Sequence, residues 1–470
     1  MQNAALKPAP EKSIAVLPFV DLSQAKDQEY FCDGISEELL DSLAKIEGLR
    51  VVARTSSFSF KGKNADVKEI AQKLNVQNVL EGSLRRDGNR IRVTAQLINA
   101  RDGYDLWSAT FERELQGVFA VQDEITRAIV EKLKVKLALA APTVAPVNTA
   151  AYELYLRGLY LSNKTSEEEL RQALTLFQQA LDQDPTLARA WTGVAKVWIW
   201  LADEFVKPLQ AYPAAEAAAN KALALNPHDS EARCHLAEAK HFLSWNLIEA
   251  IAETERALAD DPNSAAAHYE LSTLKSERGD LASALAHIRA AIKLDPLSAS
   301  MSDWESTLLI RSNRLEEALA AAQRAIKLDP SFIYNDSPLG KVYRAQGKLD
   351  EALAVYLRAA ETTHQPSAGL ALTYAAMGRR AEAQEVLRNL LERRKSHYER
   401  PERIARIYAA LGEREEAFAW LETAYNEHSS GLLSVVFQPE FRSLQSDPRF
   451  GELLRRVGLD PAILDRQSSE

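Results

Sequence analysis

The hexapeptide Ala291-Ile-Lys-Leu-Asp-Pro296 recurs letter for letter at Ala325–Pro330, 34 residues further on. Following its closing proline outward gives Pro185, Pro227, Pro262, Pro296, Pro330, Pro366 and Pro401, spaced by 42, 35, 34, 34, 36 and 35 residues. Small residues keep the same register: Ala173, Ala215, Ala250, Ala284, Ala318, Ala352, Ala383 and Ala417 at one place. Seven residues later stand Ala180, Ala222, Ala257, Ala291, Ala325, Ala359, Leu390 and Ala424. Two helical turns separate the sets, so both lie on one helix face, where a small side chain lets helices approach closely. The prolines end the helices, lacking the N–H that would continue the ladder. A period of this length specifies stacked helix pairs in which each unit buries its apolar face against the next.

The partner helices carry a matching pattern in Leu339-Gly340 with Tyr343 and Gly347, Leu370-Ala371 with Tyr374 and Gly378, and Ile404-Ala405 with Tyr408 and Gly412. These motifs resemble the tetratricopeptide repeat (TPR) family, which implies an all-α superhelical solenoid of about eight helix pairs over residues 150–430. The 42-residue spacing predicts a longer connection around Leu201–Tyr212. Residues 431–460, with Phe437-Gln-Pro-Glu-Phe441, read as a capping segment for the last unit.

Ahead of the repeats the pattern changes. Ile14–Phe19 reads as a buried strand, and Ser36 as the N-cap of a helix with Leu39, Leu40, Leu43 and Ile46 inward. Leu49–Ala53 follows as a strand and Val67–Leu74 as a helix. Val79–Arg86, Arg90–Ile98 and Tyr104–Glu112 form a meander turned at Asp87-Gly88 and Asp102-Gly103. Val118–Leu133 is helical. This is an α/β domain over 13–138, joined through a Pro-bearing linker at 139–149 to the solenoid, with each domain expected to fold by itself.

Its motifs include Ser13-Ile-Ala-Val-Leu-Pro-Phe19, Ala53-Arg-Thr-Ser-Ser-Phe58, Val79-Leu-Glu-Gly-Ser83, Leu106-Trp107 and Gln122-Asp-Glu-Ile-Thr126. They resemble the N-terminal domain of TolB as found, followed by TPR repeats, in bacterial multidomain signalling proteins. The resemblance implies an upstream effector: an adenylate cyclase, a kinase or a winged-helix domain, often across a membrane segment. The protein is expected to be a stand-alone soluble one, cytoplasmic, or the soluble and then periplasmic part of a membrane-anchored one.

Of 57 basic and 66 acidic residues, the first 140 positions hold twenty of each, leaving 37 against 46 beyond. An acidic solenoid argues against a general nucleic-acid surface. Two cysteines, Cys32 and Cys234, give no disulfide framework. No phosphate loop, dinucleotide fingerprint, metalloprotease motif or nucleophile elbow occurs, and no catalytic residue, cofactor or metal site is expected. Cys234 and His241 share a helix face, but two ligands do not make a structural zinc site. Lys61-Gly-Lys63 and Arg85-Arg86 read as solvated turn residues rather than phosphate contacts. Trp191 and Trp198 occupy core positions, whereas Trp200 can line the inner surface.

Function is therefore argued from the inner face, where solenoids take up peptide or protein segments. The candidate partner-binding residues are Lys196, Trp200, His241, Tyr269, Arg311, Lys341, Arg344 and Arg406. Arg311, Lys341 and Arg344 are expected to converge, either on an acidic segment or the C-terminus of a partner, or on Glu277 and Asp303 in an internal network. The reading is a non-catalytic interaction scaffold or sensory module of a signalling protein. The alternative is a small-molecule sensor with its site in the α/β domain.

Overall fold

The computed structural model describes residues 10, 12–63, 65–114, 118–133, 148–164, 166–202, 204–333 and 337–462. The α/β region contains β1 (Ser13–Val16), β2 (Val20–Asp21), α1 (Glu29–Ala44), β3 (Arg50–Val51), α2 (Arg54–Phe58) and α3 (Val67–Leu74). It continues through β4 (Asn78–Asp87), β5 (Arg90–Asn99), β6 (Asp105–Glu114) and α4 (Val118–Leu133). The sheet order is β3-β1-β4-β5-β6, with β2 also on β4. The strands β1, β3 and β4 are parallel, whereas β4–β5 and β5–β6 are antiparallel hairpin pairs. On one face Leu80, Leu84, Ile91, Val93, Ala95 and Leu97 meet α1 and α4. On the other, Ala15, Val52 and Val79 meet Ile70, Ala71 and Leu74 of α3.

Two local expectations fail here. Ser36 is not an N-cap: α1 begins two turns earlier, at Glu29. The buried Ser36 hydroxyl donates to the Cys32 carbonyl and accepts from the Phe19 amide, so it ties helix to strand instead. The second strand is only two residues long, because Arg54–Phe58 turns into α2.

Sixteen helices follow among the described residues, in eight antiparallel pairs. They are α5/α6 (Thr149–Ser162, Glu167–Gln183), α7/α8 (Ala188–Leu201, Pro208–Leu225), α9/α10 (Ser230–Ser244, Leu247–Asp260) and α11/α12 (Ala265–Glu277, Leu281–Leu294). Then come α13/α14 (Ala299–Arg311, Leu315–Leu328), α15/α16 (Pro338–Ala345, Leu349–Thr363), α17/α18 (Ala368–Ala376, Arg380–Arg393) and α19/α20 (Pro401–Ala410, Arg414–Asn426). Every one of the sixteen register positions is buried, from Ala173 through Ala424. Space is left for rings as well. Phe177 of α6 lies between Gly158 and Gly193, and Tyr356 of α16 between Gly340 and Gly369; a methyl group at any of the four would collide with the ring. Asp229, Asn246, Ser264, Asp280 and Ser298 cap α9 to α13 in succession, accepting otherwise unpartnered backbone amides. Pro401 opens α19 rather than closing α18.

The linker at 139–149 lies, apart from Asn148 and Thr149, outside the described residues. Independence of the two regions does not hold in the packing. Leu39, Leu43, Val121 and Ile125 share one core with Tyr152, Tyr155, Leu156 and Phe177. Gly34 of α1 lies directly against Leu156 of α5. Glu38 accepts from the Tyr155 hydroxyl at 3.1 Å and pairs with Arg189. Further along, Asn263 donates to the carbonyls of Ala44 and Leu49.

The solenoid also closes on itself at the other end. After α20, two 3-10 segments, Ser430–Phe437 and Pro439–Leu444, lead to α21 (Pro448–Arg456). Leu432, Val436, Phe441, Phe450 and Leu454 enter one core with Tyr212, Phe242, Trp245 and Leu271. The imidazole of His428 stacks on Trp245 at 5.2 Å, and its Nδ1 lies 2.7 Å from the Phe242 carbonyl. The capping segment thus covers the last repeat and joins it to the second and third.

Candidate protein-binding face

All eight candidate residues lie on first helices of pairs, as the register requires. They do not form one open surface. Arg311 of α13, Arg344 of α15 and Arg406 of α19 meet at the turn Phe437–Glu440. Arg344 reaches the Glu440 carboxylate at 3.1 Å, and Arg406 holds it through two nitrogens at 2.7 and 3.2 Å. The Arg311 guanidinium lies 4.4 Å over the Phe437 ring and 5.1 Å over Trp304. Its burial lowers its pKa to about 10, against the opposing charge of Glu277. Burial alone would raise the Glu440 carboxyl, but Arg406 and Arg344 outweigh it and hold the group below its ordinary range.

The expected trio is therefore altered. Arg406 replaces Lys341, whose ammonium lies 3.3 Å from Asp303. The other named acid, Glu277, binds His241 at 2.8 Å in a buried pair. Tyr269 stands 6.4 Å from Trp304, its hydroxyl pKa raised by burial and by Asp303, Glu270 and Glu238. Lys196 donates to Asn163, whose amide in turn donates to Glu37 of α1. That end of the face is joined to the α/β domain. Trp200 differs from the others, with 53% of its surface exposed, whereas Trp191 and Trp198 pack against the core as expected.

The register reached the arginines but not their counter-ion. Glu440 and Phe437 stand outside the 34-residue period, and no spacing in the sequence brings Glu440 to an arginine 96 residues earlier. The basic turns of the α/β domain are engaged too. Lys61 lies 2.6 Å from both Glu29 and Asp33, and Arg86 lies 2.7 Å from Glu153. Among the described residues no group of three or more His, Cys, Asp or Glu side chains is placed to hold a metal ion. No helix among them is long and apolar enough to cross a membrane.

Family comparisons divide the sequence at the same place. Tetratricopeptide repeat profiles match residues 248–296, 269–331, 339–368 and 364–389. The solenoid carries tetratricopeptide repeats. Residues 10–128 match the second domain of the HilA/YgeH-like transcriptional regulators, rather than a TolB profile. A Rhizobium meliloti (strain 1021) protein provisionally named adenylate cyclase 3 is 39% identical over 201 residues, 41% of this chain and 34% of that protein. The match therefore spans about a third of that relative's length. Among solved structures, the thermophilic TPR protein TTC0263 from Thermus thermophilus is 20% identical, covering 42% of this chain and 99% of its own, with a TM-score of 0.36. PilW, a type IV pilus biogenesis factor, is 16% identical over 46% of this chain and 94% of its own, with a TM-score of 0.37.

Proposed function

We propose that this protein is a non-catalytic interaction module of a signalling protein, whose TPR inner face receives an acidic segment of a protein partner. The seat of Glu440 is the observation that carries the reading. Arg344 and Arg406 hold a carboxylate presented on a turn, beside a cation–ring contact from Arg311 to Phe437. That is the chemistry by which an acidic peptide with an adjacent aromatic would be recognised. Lys196, Trp200, His241, Tyr269 and Lys341 are the remaining residues we assign to the partner, with Trp200 the exposed anchor.

The matching profile belongs to a second domain of transcriptional regulators, and the matching relative carries the name of an adenylate cyclase. We infer that the module modulates an effector of that signalling kind in a longer protein. The likeness of residues 13–138 to the TolB N-terminal domain rests on the motifs quoted above and belongs to the same proposal.

The test uses the intact protein as bait in a lysate, with captured proteins identified by mass spectrometry and each purified candidate titrated. The partner is expected to bind the wild type and to lose affinity for Trp200→Ala/Lys341→Glu while the circular dichroism melt is unchanged. Equal affinity for both would remove the inner face from the function.

A further inference from the structure

The sheet of the α/β region ends at β6, which pairs with β5 on one side and with no other strand among the described residues. It is ten residues long and contains no proline, and none of its residues is buried. Trp107 and Phe111 lie half-covered beneath α4, 6.3 Å apart. Proteins usually blunt a long open edge, because its row of outward N–H and C=O groups is a template for another strand.

The sequence of this edge reads as its own complement. In an antiparallel pair, residues whose backbone groups point outward must face residues that also point outward. Two copies of β6 related by a two-fold axis can therefore centre on a residue, never between two. Centring on Ser108 sets Asp105 against Phe111 and Trp107 against Ala109. Centring on Thr110 sets Trp107 against Arg113 and Ser108 against Glu112. Centring on Ala109 sets Asp105 against Arg113, Trp107 against Phe111 and Ser108 against Thr110, each twice by symmetry. Opposite charges, paired aromatics and paired hydroxyls are the cross-strand combinations that stabilise a sheet. Only Leu106 against Glu112 is mismatched. Arg113 also reaches Glu124 of α4 at 3.2 Å, which holds its guanidinium near the edge.

We propose that β6 is a homodimer edge, in which two copies of this protein pair antiparallel about Ala109 to make one continuous sheet. The occupant is a second copy because the charges and rings of this register complement themselves. The pairing is separate from the TPR inner face and does not depend on the function proposed for it.

The experiment is sedimentation velocity on the full-length protein over a concentration series. The wild type dimerises reversibly. Asp105→Arg sets arginine against arginine at both ends, and Arg113→Asp sets aspartate against aspartate. Each variant alone should weaken the dimer by about tenfold or more. An equimolar mixture of the two restores opposite charges at both ends and should recover the wild-type constant as a heterodimer. So should the double variant Asp105→Arg/Arg113→Asp, which also serves if loss of the Glu124 contact unfolds the single one. A wild type that stays monomeric throughout leaves the edge to an extended segment of another protein and overturns the proposal. A dimer indifferent to both reversals, or a mixture no tighter than its components, places the contact elsewhere and overturns it too.

Discussion

The two copies of Ala-Ile-Lys-Leu-Asp-Pro end α12 and α14 with the same backbone, yet they do different work. In the second copy Asp329 folds back on its own turn, accepting from the amide and hydroxyl of Ser331 at 2.8 and 2.6 Å. In the first, Asp295 is 3% exposed and accepts from the amide and hydroxyl of Ser56, 239 residues away. Ser56 is the third residue of α2, a helix with no side-chain cap of its own. Asp295 is thus a tertiary N-cap, and the turn that follows it is fastened by Ala53 donating to the Leu294 carbonyl and Leu297 to the Ser56 hydroxyl. A repeat dictates its own conformation and seam. What its turn touches is decided by the part of the sequence that does not repeat.

The seam is the property both copies share, so it should respond alike. Ala284 and Ala318 occupy the same fully buried position in α12 and α14. Replacing either with Leu should cost about 1–3 kcal/mol by overpacking, read from urea unfolding, and the two costs should agree. A much larger loss at one would mean that the repeats are not equivalent there. The turn is the property they do not share. Asp295→Ala removes a cap and strands the Ser56 amide in a buried place, costing about 1–2 kcal/mol.

Asp295→Asn keeps an acceptor and should cost less. Burial pushes the Asp295 carboxyl above its ordinary 3.8, against the hydrogen bonds from Ser56 that lower it. A raised folded value means that the protonated form is favoured. That contribution is full below the ordinary value and fades as pH rises through the raised one. The asparagine variant should lack this slope, and a wild-type curve that is flat there would deny the burial.

How legible the sequence was follows the same division. Eight helix pairs, their small-residue faces, the extended connection before Pro208 and the three-strand meander could be read because each depends on residues within one or two turns or one hairpin. The start of α1 could not, because Ser36 looks like a cap but spends its hydroxyl on Phe19 and Cys32. Nor could α2, which owes its end to Asp295. At the candidate site the period placed the arginines correctly on first helices. It could not supply Glu440, whose position depends on the capping segment packing back against Trp245. Contacts of that range leave no periodic trace.

Glu440 tests the other closure of the solenoid. Arg344, Arg406 and Glu440 are each between 12 and 19% exposed, so their pairing lies between a surface bridge and a buried one. Glu440→Gln retains a carbonyl for one guanidinium and should cost about 1 kcal/mol at neutral pH. The sign with pH is opposite to that of Asp295. Glu440 is held below its ordinary 4.5 once the two arginines have outweighed burial, so its contribution is present above that value and is lost as pH falls through the folded one. The variant should therefore lose less stability than the wild type on acidification. Parallel acid curves would show that the arginines are held by something else.

The smallest effect belongs to the second hexapeptide. Asp329 is half-exposed, and its two bonds stay within a turn that Pro330 already predisposes by fixing φ. In Asp329→Ala the Ser331 amide loses a carboxylate but can turn to water, so no buried donor is left without a partner. Such a change should cost about 0.5 kcal/mol or less, within the usual range for surface substitutions. The informative quantity is its difference from Asp295→Ala, since the six letters and the helix ends are the same in both. Amide hydrogen exchange separates them further. Asp295→Ala should speed exchange in α2 within the sheet domain, whereas Asp329→Ala should leave α2 unchanged and touch only its own turn. Equal losses, or faster exchange in α2 from both, would mean that the hexapeptide acts through its own helix, and that the contact from Asp295 to Ser56 contributes nothing of its own.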